Sequence, residues 1–593
     1  MRRSSLRLIL FAAGGLAALA AALAGTLGLD RSPGWGRARL VLLMAGVVMC
    51  SIAALSHYSA KLIDGSPGWL HRRSRLWAIF GAARSAAGPQ FLGLVLGGLV
   101  SVGIAVYVLW YTSAGRFPDF PHVHNDYADL GDALLHGQLS LLETPSPELQ
   151  VLQDPYDPSQ RVNVPYRWDA SYYDGRYYLY WGPVPAIVSA GLQVLIGAPP
   201  SGALLVALAF LGLLAVFLGY LKRIWGRLYA GRPMFSLGLF AAVAFVNLPL
   251  LFEVGQARVY DASVLYGQLF LLAGLLGWEL YAGTAKPAWL VAAGLGWGLA
   301  IGCRYNLLLS VIVFAASVMI WLVRRGPQRL AWQRVGLLAA PILACLIALG
   351  LYNYVRFGSV LETGMAYQLS FGASQHLSYS PAHIPSSLYI YFFYPLTTAG
   401  TFPFIRSALF DPVLVPSWLQ MSADRVFDHV IFGTLPAVPG LWLLVLAPPL
   451  LLLEVRSARR PADARAGDFE QNFTFWMITA AAAGQILYLS VFFYAAERYV
   501  GDFFLLTVLA MAMVVARFDV YLSSHWMRVA LWGVATALAV WTVAIGYFGA
   551  FSVPPKTLSA ANPSLYSALA AGWNDRISDM HALLERINDV VGR

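Results

Sequence analysis

Apolar residues run along this chain in blocks of about 20, the length a helix needs to cross the hydrocarbon core of a bilayer. Thirteen such blocks are set apart by polar and basic turns, at residues 7–29, 38–57, 91–111, 200–221, 235–252, 262–282, 287–303, 305–324, 335–353, 440–454, 472–494, 502–518 and 527–548. The pattern predicts an all-α polytopic membrane protein with about thirteen spanning helices. Arg2 and Arg3 before the first block also fit a signal peptide. Either way position 30 lies outside, and the later spans face the same way.

The turns between blocks carry the orientation. Lys and Arg gather on the cytoplasmic side of polytopic chains, and alternate turns here are short and basic. Residues 58–90 carry Lys61, Arg72, Arg73, Arg75 and Arg84. The next two basic turns carry Lys222, Arg223, Arg227 and Arg232, then Arg324, Arg325, Arg329 and Arg334. A fourth, 455–471, carries Arg456, Arg459, Arg460 and Arg465. This places the N-terminus inside and the C-terminus outside; the short outer turn with Arg31 and Arg37 is too small to reverse it. Most of the net charge of +10 is then topology rather than a nucleic-acid surface.

Composition agrees. The chain is 59% hydrophobic and 12% charged, against roughly 25% charged residues in soluble domains. Its 14% aromatic content excludes an unfolded tail. Cys50, Cys303 and Cys345 all lie in or beside apolar blocks, which leaves no disulfide framework and no Cys-x-x-Cys site.

Two long outer segments, 112–182 and 354–439, break the pattern. They are rich in Pro, Tyr, Asp and His, hold six of the ten histidines, and the first carries ten acidic residues. Long loops in a compact membrane protein are usually functional. The organisation expected is residues 1–90 as a spanning hairpin with a basic loop, 91–520 as the main membrane module with the two long outer segments, and 521–593 as a last span with a short external tail. That tail includes an amphipathic helix near 575–590.

Within the first segment, Phe120-Pro-His-Val-His-Asn-Asp-Tyr leads into Leu130, Leu134 and Leu135 at helical spacing, and Gly137 ends the run. Asn125 or Asp126 caps this short interfacial helix. Asp126 is either a cap or a reactive carboxylate, and His122, His124 and Asp126 together could hold a metal ion. Further on, Asp174-Gly175 between aromatic runs signals a hairpin. Gly-Pro-x-Pro then opens a second interfacial helix, 184–197. The aromatic residues here, Tyr178 among them, suit a membrane-interface belt or a stacking surface for a sugar.

Polar groups recur at the outer ends of spans. Arg258, Tyr260 and Asp261 lie in one short turn, where Asp261 at a helix start is favoured by the helix dipole. Arg304, Arg356 and Arg498 stand at three other outer ends. Each could snorkel, or grip a phosphate through the two-pronged guanidinium.

The order of these pieces resembles the GT-C membrane glycosyltransferases, which use polyprenyl-phosphate sugars; members include the lipid A aminoarabinose transferase, the protein O-mannosyltransferases and the arabinofuranosyltransferases. The resemblance covers roughly residues 91–520. It rests on Asp126-Tyr127 before a helix ending at Gly137, the aromatic stretch and interfacial helix from Tyr177 to Gly197, Asp261 at a span's start, and Gly294-Leu-Gly-Trp-Gly-Leu-Ala-Ile-Gly-Cys-Arg304. A hairpin of two spans precedes the expected first one, and Arg304 stands where many relatives carry Lys.

The resemblance implies a GT-C-like fold and inverting transfer of a hexosyl or pentosyl group to an acceptor hydroxyl on a glycan, lipid or protein. Asp126 would be the base; Arg304, Arg498 and Arg258 would hold the donor phosphate. Asp261, Tyr127, Tyr260, Tyr178 and Arg356 would line the substrate site. No cofactor is required, though some members use a divalent metal, for which His122 and His124 are the candidate ligands. The expected setting is a monomer in a bacterial inner membrane, binding a polyprenyl-phosphate sugar and membrane lipid but no nucleic acid, with its site outside. A secondary transporter or flippase is the alternative, but no repeats or midplane charges are visible. An O-antigen polymerase or ligase is another, in which the pairing of Asp126 with Asp261 has no evident use.

Overall fold

The computed structural model describes residues 89–593, except 326, 371–378, 407–408, 420–425, 427–429, 458–465, 493, 554–556 and 592–593. The first two expected spans, Cys50, the basic residues of 58–90, Arg31, Arg37 and Arg459, Arg460 and Arg465 lie outside the described residues.

The fold is mostly helical, and the chain is an integral membrane protein. Among the described residues eight helices are long and apolar enough to cross a bilayer: Gly93–Thr112, Gly202–Leu228, Val259–Thr284, Tyr305–Arg325, Gln328–Phe357, Phe469–Ser490, Phe504–Tyr521 and His525–Ala550. A ninth is reached if Phe235–Phe245 and Leu248–Gln256 form one span bent by 53°. The bend falls at Asn247-Leu248-Pro249, where Asn247 caps the second half and Pro249 cannot continue a ladder.

Two other expected spans are shorter than the roughly 20 residues a crossing needs. Residues 287–303 form Ala288–Cys303, 16 residues long, or about 24 Å at 1.5 Å per residue. In the 440–454 block, Pro439–Leu446 is a 3-10 helix that passes into a short α-helix at Ala447. Ala447-Pro448-Pro449 breaks that block, so its apolar length overstates its regular helix.

The chain forms two units. In the first, 89–121 with 233–239, a helix of small residues meets the start of another: a Cβ on Gly238 would stand 2.7 Å from Cα of Gly97. The second unit, 122–232 with 240–593, holds everything described below.

At its centre Val259–Thr284 and Ala288–Cys303 pack together through glycine. A Cβ on Gly296 would come 2.7 Å from the backbone nitrogen of Gly274, and one on Gly274 would strike the Trp297 ring. The small residues of Ala293-Gly-Leu-Gly-Trp-Gly298 therefore make the close approach possible, the usual device of membrane helices.

The basic ends of the spans are pinned by ion pairs. Arg227 forks onto Glu279 at 2.5 and 2.6 Å and also reaches Glu470, which Arg325 meets at 2.8 Å. Arg517 contacts Glu454 at 2.6 Å, and Arg232 contacts Asp519. The basic turns thus tie helix ends together.

At the other ends, the outer segments are stitched to each other. Ser171 Oγ donates to Gly364 O at 2.8 Å, and Gln368 and Ser370 both donate to Asp169. The hairpin forms as its Asp-Gly predicts: Ser171–Tyr173 pairs with Arg176–Tyr178, and Asp174 and Gly175 take φ of +48° and +69°. Two positive φ values are what a type I′ turn needs. The C-terminal amphipathic helix is longer than expected, Pro563–Val591.

Candidate active site

The interfacial helix Asp126–Leu135 is capped by Asn125, whose Oδ1 accepts from Tyr127 N and whose Nδ2 donates to Ala257 O at 2.9 Å. Asp126 is therefore not the cap. Its carboxylate is free of the backbone, and the Asn125–Ala257 bond fixes it against the turn that carries Arg258 and Tyr260. The residues just before the helix are held to the start of Gly202–Leu228, by Gly202 N donating to Val123 O.

Arg167, 41 residues away and not singled out by sequence, dominates the surroundings of Asp126. Its Nη2 meets Asp126 Oδ1 and Asp129 Oδ2, both at 2.5 Å, and Nη1 meets Glu143 at 2.6 Å. His124 Nε2 stands 3.7 Å from Asp126 Oδ1. Burial, the largest single influence, works to raise the Asp126 pKa. The nearby His124 and the charge and hydrogen bond of Arg167 outweigh it and hold the carboxyl below its ordinary value. The Asp126 carboxylate in turn raises His124 against the opposing effect of burial. Asp126 Oδ2 has no hydrogen-bond partner among the described residues.

His124, Asp126 and Asp129 offer three ligand atoms within 4.8 Å of one another. Exposed His122 is not in that group. An ion here would share both carboxylates with the Arg167 cation, which already donates to one oxygen of each.

A second locus lies where span ends converge. A cavity of about 290 Å³ is lined by Tyr180 and Trp181 of the first outer segment, Tyr260, Arg304 and Asn306 of two span junctions, and Arg498, with other aromatic side chains around them. That is near the lower end of the roughly 300–1,000 Å³ typical of small-molecule sites. Gly182 is needed where this wall passes over the end of Ala288–Cys303: a Cβ there would come 2.1 Å from Gly302 O.

The structure brings Arg304, Arg498 and Tyr260 into this one cavity. Arg498 lies over Tyr260, 4.3 Å from the ring centroid, and over Tyr499 at 5.5 Å. Arg304 Nε donates to Asp502 Oδ1 at 2.5 Å and its Nη1 to Ser263 Oγ at 3.3 Å. Asn306 Nδ2 donates to the other Asp502 oxygen at 2.6 Å. Trp181 stacks on Tyr180 and meets Tyr260 edge-on. Asp502, Asn306 and Trp181 were not singled out from sequence. The acid in Glu-Arg-Tyr-Val-Gly-Asp502, four residues after Arg498, was the available signal for the first.

The remaining candidates stand elsewhere. Arg258 and Asp261 form a capping box at the start of Val259–Thr284, with Arg258 N donating to Asp261 Oδ2 at 2.7 Å. Arg258 lies over the ring of Tyr260, 5.2 Å from its centroid. Arg356 donates to Leu179 O at 2.6 Å, Asn353 Oδ1 at 2.8 Å and Tyr352 O at 3.3 Å, which fastens a span end to the first outer segment. Tyr178 packs edge-on against Phe357. Tyr127 is wholly buried beside Cys303, Arg304 and Tyr305, and burial pushes its hydroxyl pKa well up. Arg258, Asp261, Arg356, Tyr178, Tyr127 and Asp126 itself are not among the described residues that line the cavity. Tyr127 and Asn125, on either side of Asp126, are what fasten it to the cavity's surroundings.

No family model matches the chain, and no curated protein matches it. Among solved structures it is similar to ArnT from Cupriavidus metallidurans bound to undecaprenyl phosphate, at 14% identity and a TM-score of 0.39 over 78% of this chain and 76% of that one. It is also similar to the Archaeoglobus fulgidus oligosaccharyltransferase in the apo form, at 14% identity and 0.40, covering 79% of this chain and 55% of that one. The archaeal oligosaccharyltransferase AglB from Archaeoglobus fulgidus, in complex with an inhibitory peptide and a dolichol-phosphate, gives 12% and 0.39, covering 79% and 56%. The chain spans about half the length of these two oligosaccharyltransferase structures. ArnT and AglB are both GT-C glycosyltransferases. Identity and TM-score are low throughout, so the chemistry below is built on side-chain geometry.

Proposed function

We propose that this chain is an inverting glycosyltransferase that moves a sugar from a polyprenyl-phosphate donor to an acceptor hydroxyl, on the extracytoplasmic face of the membrane. The observation that carries this reading is the convergence of two guanidinium groups, Arg304 and Arg498, in an aromatic-walled cavity at the span ends. Guanidinium groups match phosphate oxygens in pairs, and aromatic faces suit the apolar faces of a sugar. A phosphate here sits beside the bilayer, so an apolar tail on it stays in lipid. The basic turns fall at the opposite ends of the same helices, which supports an outward-facing cavity.

In the reaction, the acceptor oxygen attacks the anomeric carbon while the bond from that carbon to the phosphate oxygen breaks. The phosphate leaves with the bonding pair, and Arg304 and Arg498 offset its added negative charge. The acceptor proton passes to Asp126 Oδ2, the oxygen that Arg167 and His124 leave open. Asp126 is a weak base at its lowered pKa, which suits a transition state where the sugar is already cation-like and the proton departs late. No step is assigned to a metal; the Arg167 cation already neutralises part of the carboxylate charge at this cluster.

The test is to incubate purified protein in liposomes with labelled polyprenyl-phosphate sugar and an extract of candidate acceptors. Release of free polyprenyl phosphate matched by labelled acceptor is the expected result. Movement of substrate into the liposome lumen without any release would make the chain a transporter instead.

A further inference from the structure

The Asp502 carboxylate joins the two separate chain junctions that supply the cavity's cations, yet it does not itself line the cavity. It is fully buried, accepting from Arg304 Nε at 2.5 Å on one oxygen and from Asn306 Nδ2 at 2.6 Å on the other. Its own carbonyl accepts from Gln268 Nε2 at 3.1 Å, which ties the turn to Val259–Thr284. It closes the 3-10 segment Glu497–Asp502, whose Arg498 and Tyr499 both line the cavity.

The consequences follow from the shape of each group. A guanidinium held at Nε by Asp502 and at Nη1 by Ser263 keeps one nitrogen, Nη2, without a protein partner among the described residues. Rotation about the last side-chain bonds is stopped by two fixed contacts, so Nη2 is held ready rather than searching. Asn306 must turn its amide nitrogen to the carboxylate, and its Oδ1 is buried without a partner among the described residues.

We propose that Asp502 is the positioning residue of this cavity: held by Asn306 on one oxygen, it fixes Arg304 with the other to meet the phosphate, and couples Arg304 to the Arg498 turn. The inference rests on the reading of the cavity as a phosphate site. The free polyprenyl phosphate that leaves carries more negative charge than the donor diester. An aligned Arg304 therefore helps the departing group more than the bound donor, which raises turnover rather than donor affinity.

The experiment is a double-mutant cycle on the full-length protein, with a short-chain polyprenyl phosphate as probe and quenching of tryptophan fluorescence as readout. Asp502→Asn and Arg304→Ala are each expected to weaken binding about tenfold, the scale of one charge-assisted contact. The double variant should lie within about twofold of Arg304→Ala alone, because coupled residues are not additive. In the transfer assay Asp502→Asn should lower kcat about tenfold with donor KM within about twofold. If Asp502→Asn does not fold, Asn306→Ala loosens the same carboxylate. It should weaken probe binding about threefold in the wild type and not at all beside Arg304→Ala. Additive losses in either cycle, or wild-type binding by Asp502→Asn, would overturn the assignment while leaving the phosphate reading intact. Failure of the wild type to bind the probe would overturn both.

Discussion

Asp126→Asn is expected to lower kcat for sugar transfer about 10³-fold, within the roughly 10² to 10⁴ that a positioned base supplies. The amide keeps the shape of the carboxylate and the cap at Asn125 is untouched, so folding should survive. Asp129→Asn is the matched control. Asp129 meets the same Arg167 nitrogen at the same 2.5 Å, so this variant disturbs the ion-pair cluster equally without removing the proposed base. Its cost should stay under about fivefold, as for other partly exposed pairs.

The pH profile adds a sign. As the proposed base Asp126 must be deprotonated, and its pKa lies below the ordinary value. Its contribution is therefore fully present at neutral pH and lost only as pH falls below about 3.9, the ordinary aspartate value. Any limb of the wild-type kcat profile nearer neutrality belongs to another group. Steady-state transfer kinetics of the three proteins decide this, and near-wild-type turnover by Asp126→Asn would move the base elsewhere.

Arg498→Ala should cost about 10² to 10³ in kcat, the range seen when one donor to a developing anion is removed. Stacking over Tyr260 and Tyr499 keeps the guanidinium plane fixed, so no reorganisation is needed as charge builds on the phosphate. Arg498→Lys retains the charge but neither the plane nor the paired donors, and should recover only part of the loss. Full recovery by lysine would mean that charge alone matters there. A loss confined to donor KM would mean that Arg498 only binds substrate.

The features legible in sequence were those set by short-range rules. Alternating basic turns and 20-residue apolar blocks gave most spans, Asp174-Gly175 gave the hairpin, and Gly197, at φ +77°, gave the end of an interfacial helix. Where proline interrupts apolar sequence, at Pro249 and at Pro448-Pro449, block length misled. The site divides similarly. Arg304, Arg498 and Tyr260 could be proposed because polar groups at span ends stand out against apolar surroundings.

What joins them could not be read in the same way. Arg167 meets Asp126 across 41 residues, and Arg304 meets Asp502 across 198. Such pairs are made by the packing of helices distant in sequence and leave no local pattern. Arg356 shows the converse: an arginine at an outer helix end looks like the others until its nitrogens are found on Leu179 O, Asn353 and Tyr352 O.

An experimental structure with an unreactive polyprenyl-phosphate sugar bound tests most directly whether the Asp126 cluster and the arginine cavity serve one reaction on a lipid-linked sugar. The phosphate is expected within about 3 Å of Arg304 and Arg498, with the prenyl tail leaving between spans into lipid and the anomeric carbon turned toward Asp126 Oδ2. A phosphate bound away from both arginines, or a sugar turned away from Asp126, would contradict a shared reaction.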